Sequence, residues 1–133
     1  MYKYIIADSI QEYINEELND SIYYFELSKF APNENSREIL LNIGRDEKSH
    51  AENFKQAYYY LTGRVYLLKQ IKVPEISGYE EGLKNRLLAE TENYKKYSKD
   101  YIEAQNKYLK NLFFMIRTSE AQHAMRIPVL LQN

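Results

Sequence analysis

Both histidines of the chain follow a glutamate by three residues: His50 follows Glu47 in "RDEKSHAEN", and His123 follows Glu120 in "TSEAQHAMR". Residues three apart lie on one face of an α-helix, so each Glu-x-x-His offers a carboxylate and an imidazole to a single point. Two more glutamates, Glu17 and Glu90, interrupt apolar stripes in the same way. A buried carboxylate costs several kcal/mol unless its charge is compensated. Four of them facing one core call for positive charge, and a pair of metal ions supplies it. Carboxylate oxygen with imidazole nitrogen suits Fe(II), Fe(III) or Mn(II), and suits copper(I) or structural zinc poorly. Four carboxylates neutralise two divalent ions, and such a pair can pass two electrons to dioxygen or to hydrogen peroxide.

The pattern is duplicated. A shift of 73 residues lays Glu17 on Glu90, Tyr24 on Tyr97, Ala31 on Ala104, Glu47 on Glu120 and His50 on His123. Apolar positions follow: Ile10 with Leu83, Ile14 with Leu87, Leu40 with Phe113, Ile43 with Ile116. Each Glu-to-Tyr step spans two helical turns, so Tyr24 and Tyr97 share the faces of Glu17 and Glu90. One Glu-x-x-His is a weak signal. Its repetition in register with an upstream glutamate is a specific one.

The elements that must position these residues are helical almost throughout. A Ser9–Glu12 capping box predicts the start of the first helix. Its stripe runs Ile10, Tyr13, Ile14, Glu17, Ser21, Tyr24, Ser28 and breaks at Pro32. A second helix is expected from about residue 35 to Leu61, closed by Gly63. Residues 64–78 contain Pro74 and Gly78 and read as a connection, with Ser77–Glu80 as a second capping box. Helix three carries Leu83, Leu87, Glu90, Tyr94 and Tyr97. A break at "AQNK" precedes helix four, with Leu109, Leu112, Ile116, Glu120, His123 and Ile127. Short first and third connections make helices one and two antiparallel neighbours, and likewise three and four. A linker of roughly 15 residues reaches about 50 Å, beyond the about 40 Å of a 27-residue helix. It can cross the bundle, make helices two and three parallel, and bring all six ligands to one depth.

Composition narrows the rest. The 133 residues make one domain by length. The absence of cysteine excludes disulfides, iron–sulfur clusters and a rubredoxin-type iron site. No apolar run is long enough to span a bilayer. "MYKYIIADS" lacks the features of a signal peptide, which sets the expectation of a cytoplasmic protein. A net charge of −1 with both signs interspersed argues against nucleic-acid or membrane-surface binding. Four glycines leave little material for phosphate loops.

With these motifs the sequence resembles the ferritin-like family, and most closely its small rubrerythrin-like members, over residues 8–130. The resemblance rests on Glu17, Tyr24, "EKSH" at 47–50, Glu90, Tyr97 and "EAQH" at 120–123. It implies one all-α, ferritin-like diiron domain over 1–133, a four-helix bundle whose hairpins 8–62 and 79–130 are joined by a crossover 63–78. It implies two iron ions bridged by Glu47 and Glu120, with Glu17 and His50 completing one and Glu90 and His123 the other. Tyr24 and Tyr97 would then hydrogen-bond ligand carboxylates. The function implied is a non-haem diiron oxidoreductase that reduces hydrogen peroxide or dioxygen, with electrons from a separate donor protein. A homodimer is expected. A ferroxidase is the close variant, a dimanganese catalase-like site is the alternative on ligand type, and a metal-free interaction bundle is the alternative without chemistry.

Departures from that pattern are informative. Rubrerythrins carry a further carboxylate three residues after the third-helix glutamate, and that place is Asn93 here. Asp20, at the matching place on the first helix, is the residue that could supply it. Ferritin cages use longer chains with a fifth helix, so a storage cage is not expected. Tyr58, Tyr59 and Tyr60 are expected at the bundle end or a subunit contact. Met115 and Met125 are expected as core or interface filler, and Glu16, Asp46, Glu52, Glu92 and Glu103 on solvated faces.

Overall fold

Four long helices carry nearly all of the chain: α1 (Tyr2–Ser28), α2 (Glu34–Thr62), α3 (Tyr79–Glu103) and α4 (Lys107–Leu131). The computed structural model describes residues 2–132, apart from the side chains at 3 and 4. Local chemistry sets several of the helix ends. The Asn33 side chain accepts the Ser36 N–H at 2.8 Å, satisfying one of the free donors at the start of α2. Gly63, at φ 70°, takes the left-handed conformation that closes α2, and its N–H reaches the Tyr59 carbonyl at 2.7 Å. Asn106 caps α4 by accepting the Leu109 N–H at 2.8 Å.

Two starts differ from expectation. α1 begins at Tyr2, so Ser9 lies inside the helix and the Ser9–Glu12 pair does not open it. Ile6 and Ala7 are buried and carry the inward stripe a further turn upstream. The first hairpin therefore begins ahead of residue 8. α3 begins after Gly78 with no side-chain cap, so Ser77–Glu80 is not a capping box either. Glu80 and Glu81 in its first turn instead face the partial positive charge of the helix start.

Two apolar clusters fix the directions of the helices. One joins Ile6 and Ile10 of α1 to Phe54 and Leu61 of α2, Tyr97 of α3, and Leu109 and Phe113 of α4. The other joins Tyr24 and Leu27 to Leu40, Ile43, Leu83, Ile127 and Leu130. The start of α1 thus meets the end of α2, the end of α3 and the start of α4. α1 and α2 are antiparallel, as are α3 and α4, while α2 and α3 run parallel. Residues 63–78 return the chain along the bundle. The closest backbone approaches lie within the hairpins, and α2 meets α4 between them. No described helix is long and apolar enough to cross a membrane.

The hairpins solve one packing problem in opposite ways. A Cβ on Gly44 would stand 2.6 Å from the Phe25 ring, and the Ser21 hydroxyl donates to the Gly44 carbonyl at 2.7 Å. α1 and α2 touch there with nothing between them. The equivalent residue in the second hairpin is Arg117, whose Nε donates to Ser98 at 2.7 Å and whose guanidinium lies 4.6 Å from the Tyr94 ring centre. Met115 and Met125 are exposed on α4, so they are not core filler.

Candidate metal centre

Between the two apolar clusters lies a polar layer, built from the middle of every helix. Glu17 comes from α1, Glu47 and His50 from α2, Glu90 from α3, and Glu120 and His123 from α4. They form two overlapping groups: Glu17, Glu47, His50 and Glu120; and Glu47, Glu90, Glu120 and His123. Within each group, one ligand atom per residue lies within 4.8 Å of all the others. Glu47 and Glu120 belong to both. His50 is 7 % exposed, and the remaining five are at 1 % or below.

The imidazoles point inward. His50 Nδ1 is 2.9 Å from Glu17 Oε1 and 3.2 Å from Glu120 Oε1. His123 Nδ1 is 2.9 Å from Glu47 Oε1 and 3.4 Å from Glu90 Oε2. Their rings face each other 6.2 Å apart. The donor set tests whether a cation fits. Glu17 Oε2, both oxygens of Glu47, Glu90 Oε2, Glu120 Oε1 and His123 Nδ1 are buried and have no hydrogen-bond partner. Even the 2.9 Å approach of His123 to Glu47 lacks hydrogen-bond geometry. Buried acceptors are almost always paired, so converging lone pairs without donors fit a metal ion.

Electrostatics agree. Burial lifts Glu47 well above the usual carboxylate range, and Glu17 and Glu120 push it further. Burial also raises Glu17, against the pull of His50. Glu90 rises to about 7, mainly through burial, with His123 opposing. Burial disfavours the His50 imidazolium, but the adjacent Glu120 and Glu17 carboxylates outweigh it and carry His50 to about 10. His123 reaches about 9 because Asp46 and Glu90 outweigh its burial. Without a metal, these groups hold protons where cations would sit.

The surrounding residues are less symmetric than the ligands. The Tyr24 hydroxyl donates to Glu90 Oε1 at 2.8 Å. Tyr97 is fully buried, but its hydroxyl has no hydrogen-bond partner, so the second tyrosine bond expected from the repeat is not made. Asn93 Nδ2 donates to Glu120 Oε2 at 3.1 Å and to Asp20 Oδ2 at 3.3 Å. Asp20 is engaged by Arg86, 2.8 Å away, and meets the cluster through Asn93. Arg86 is itself buried and needs that counter-charge.

Two residues of this surround escaped sequence reasoning. Asp46, expected on a solvated face, accepts the His123 Nε2–H at 2.9 Å across the bundle. About half of its side chain stays exposed. In the neutral ring that bond leaves His123 Nδ1 with its lone pair towards Glu47 and Glu90. Arg86 had a readable signal: a basic residue one turn before Glu90 on the stripe of Leu83.

No protein-family model matches the chain, and neither does any curated protein or solved structure. Fold and site define the class by themselves. This is an all-α four-helix bundle of two hairpins enclosing a buried Glu/His cluster that could hold metal.

Proposed function

We propose that the protein is a non-haem diiron oxidoreductase, ligated in the rubrerythrin manner, that reduces hydrogen peroxide or dioxygen. One observation carries this: two four-residue ligand groups that share Glu47 and Glu120. Glu47 and Glu120 would be shared by the two ions, Glu17 and His50 would hold one of them, and Glu90 and His123 the other. Two iron ions so bound would supply the two electrons that reduce the oxidant.

The chain's own residues prepare the site. Tyr24 holds Glu90, Asn93 holds Glu120, and Asp46 sets the tautomer of His123. The apolar clusters above and below keep bulk water out. His50 is the ligand nearest solvent, which makes its side the approach for a small oxidant. Electrons come from a separate donor, because the chain has no cysteine to hold an iron of its own for that purpose. The exposed apolar residues Tyr60, Tyr108 and Met115 on α2 and α4 offer a face for a second copy in a homodimer.

The test is direct. Protein purified without chelator should contain about two equivalents of iron rather than manganese. After anaerobic reduction, stopped-flow mixing should show faster reaction with hydrogen peroxide than with dioxygen. Faster reaction with dioxygen replaces the peroxidase reading by an oxidase or ferroxidase one. A protein that holds two irons and reacts with neither is not this enzyme.

A further inference from the structure

Under the 73-residue shift Tyr13 takes the place of Arg86, and each stands over the tyrosine that faces the cluster. The Arg86 guanidinium is 5.6 Å from the Tyr24 ring centre. The Tyr13 ring meets Tyr97 edge-on at 5.1 Å. The outer neighbours are exchanged as well. Tyr23 lies 4.3 Å from Arg86, while its equivalent, Lys96, lies 4.8 Å from Tyr13 and 4.9 Å from Tyr97. Both cations are paired, Arg86 with Asp20 and Lys96 with Glu16. What still differs is redox chemistry. A guanidinium has no accessible electron to give, whereas a phenol has one if its proton has somewhere to go.

Tyr13 has such an acceptor: its hydroxyl donates to Asp100 Oδ2 at 2.6 Å. Burial raises the Asp100 carboxyl above its ordinary range, which makes it a better base. Asp100 belongs to neither ligand group, so protonating it leaves them intact. The Tyr24 proton, by contrast, faces Glu90, which is a member. Tyr13 also borders a groove of about 450 Å³ between α1 and α3, lined by Tyr2, Ile5, Ile6, Lys96 and Lys99. Its apolar floor, and a rim where Lys96 and Lys99 stand beside Asp100 and Glu103, suit a small aromatic molecule with a hydroxyl group.

We propose that Tyr13, with Asp100 as its base and the Tyr97 ring as its bridge to the cluster, is a one-electron exit at which phenols or hydroquinones in this groove are oxidised. This rests on the reduction of hydrogen peroxide proposed above. Tyr13 sends one electron inward and its phenolic proton to Asp100, becoming a neutral tyrosyl radical. A donor phenol breaks its O–H bond and returns a hydrogen atom to Tyr13, leaving as an aryloxyl radical. Asp100 then releases its proton. Two such rounds deliver the two electrons and two protons that turn one hydrogen peroxide into two waters as the O–O bond breaks. Arg86 closes the equivalent route at Tyr24.

Iron-loaded protein mixed with hydrogen peroxide and frozen within milliseconds should show a tyrosyl signal by electron paramagnetic resonance, and hydroquinone should erase it. Tyr13→Phe keeps the ring and its packing, so fold and iron content should hold while the signal and hydroquinone oxidation fall about tenfold or more. Asp100→Asn should slow radical formation by a similar factor. Tyr79→Phe, packed against the opposite apolar cluster, should change neither. A signal of unchanged size and shape in Tyr13→Phe, or hydroquinone oxidised at an unchanged rate, overturns the proposal. If the protein does not consume peroxide, the proposed function fails, and a flash-generated ruthenium(III) polypyridyl oxidant then reads the exit alone. Tyr13→Phe must still remove one tyrosyl component, and equal signals from the two proteins overturn the exit.

Discussion

The two halves of the buried Glu/His cluster carry the same residues, one glutamate and one Glu-x-x-His each, yet they are held differently from outside. Around Glu90 and His123, Tyr24 bonds the carboxylate and Asp46 bonds the imidazole. Around Glu17 and His50 neither bond is made. Tyr97 leaves its hydroxyl unpaired, and Ser119, the repeat partner of Asp46, lies 3.4 Å from His123 rather than against His50. His50 also keeps the only appreciable exposure of the six. Ligand identity follows the repeat and sets where metals can sit. The unrepeated residues decide how firmly each position is held and which one meets solvent.

The shared carboxylates give the largest expected effect. Glu47→Ala should strip both positions, taking metal content from about two equivalents to near none, whereas His50→Ala should leave about one. Elemental analysis after gel filtration reads this, and two equivalents retained in Glu47→Ala would break the shared-ligand reading. Metal removal comes next. Binding to the folded state alone should raise the melting temperature of the loaded protein. In the metal-free protein Glu17, Glu47, Glu90, His50 and His123 all have folded pKa values above their ordinary ones. Each therefore binds its proton more tightly folded than unfolded, so stability is fullest in acid and falls as pH rises. The loss should continue through about 7, where Glu90 titrates, and through about 9 and 10 for the histidines. The loaded protein should show the opposite slope in acid, as protons compete for the ligands. Thermal melts of both forms across pH test this, and parallel curves would sink it.

Smaller effects sharpen the contrast between halves. Asp46→Ala should weaken one metal position about 10- to 100-fold and spare the other. Titration against a competing chelator should resolve two steps, and equal movement of both would erase the asymmetry. Gly44→Ala should cost about 1–3 kcal/mol, because the new methyl meets Phe25. The higher helix propensity of alanine offsets part of that. Arg117→Ala at the equivalent, partly exposed place should cost less, about 1 kcal/mol, through lost packing of the side chain's stem. Denaturant titration of both variants compares the hairpins directly.

How much of this was legible in the sequence depended on distance along the chain. The clustering of the six Glu and His residues was readable because Glu-x-x-His is local and because its duplication in register picks it out from chance. The direction of α3 was readable from the length of residues 63–78. The start of α1 was not, because a cap is worth about 1 kcal/mol and buried apolar residues upstream override it. The partners of Asp46 and Arg86 were out of reach for a different reason, although the inward place of Arg86 on its stripe was legible. Those partners, His123 and Asp20, lie 77 and 66 residues away, and only the packing of helices against one another brings them together. Tyr97 shows the converse: a repeat predicts the position of a side chain but not whether its hydroxyl finds a partner.

The connection 63–78 carries a consequence for assembly. Each hairpin holds half of the ligand set and turns its acidic residues towards the other, so the seam between hairpins is where like charges meet. A chain cut within 64–78 would leave two pieces drawn together by the apolar clusters and pushed apart by those carboxylates. Metal would join them and a chelator would release them. In the intact chain the connection acts as a tether that keeps each hairpin at an effective concentration of about millimolar near its partner. Continuity of the backbone would thus let the pair remain docked with or without bound ions.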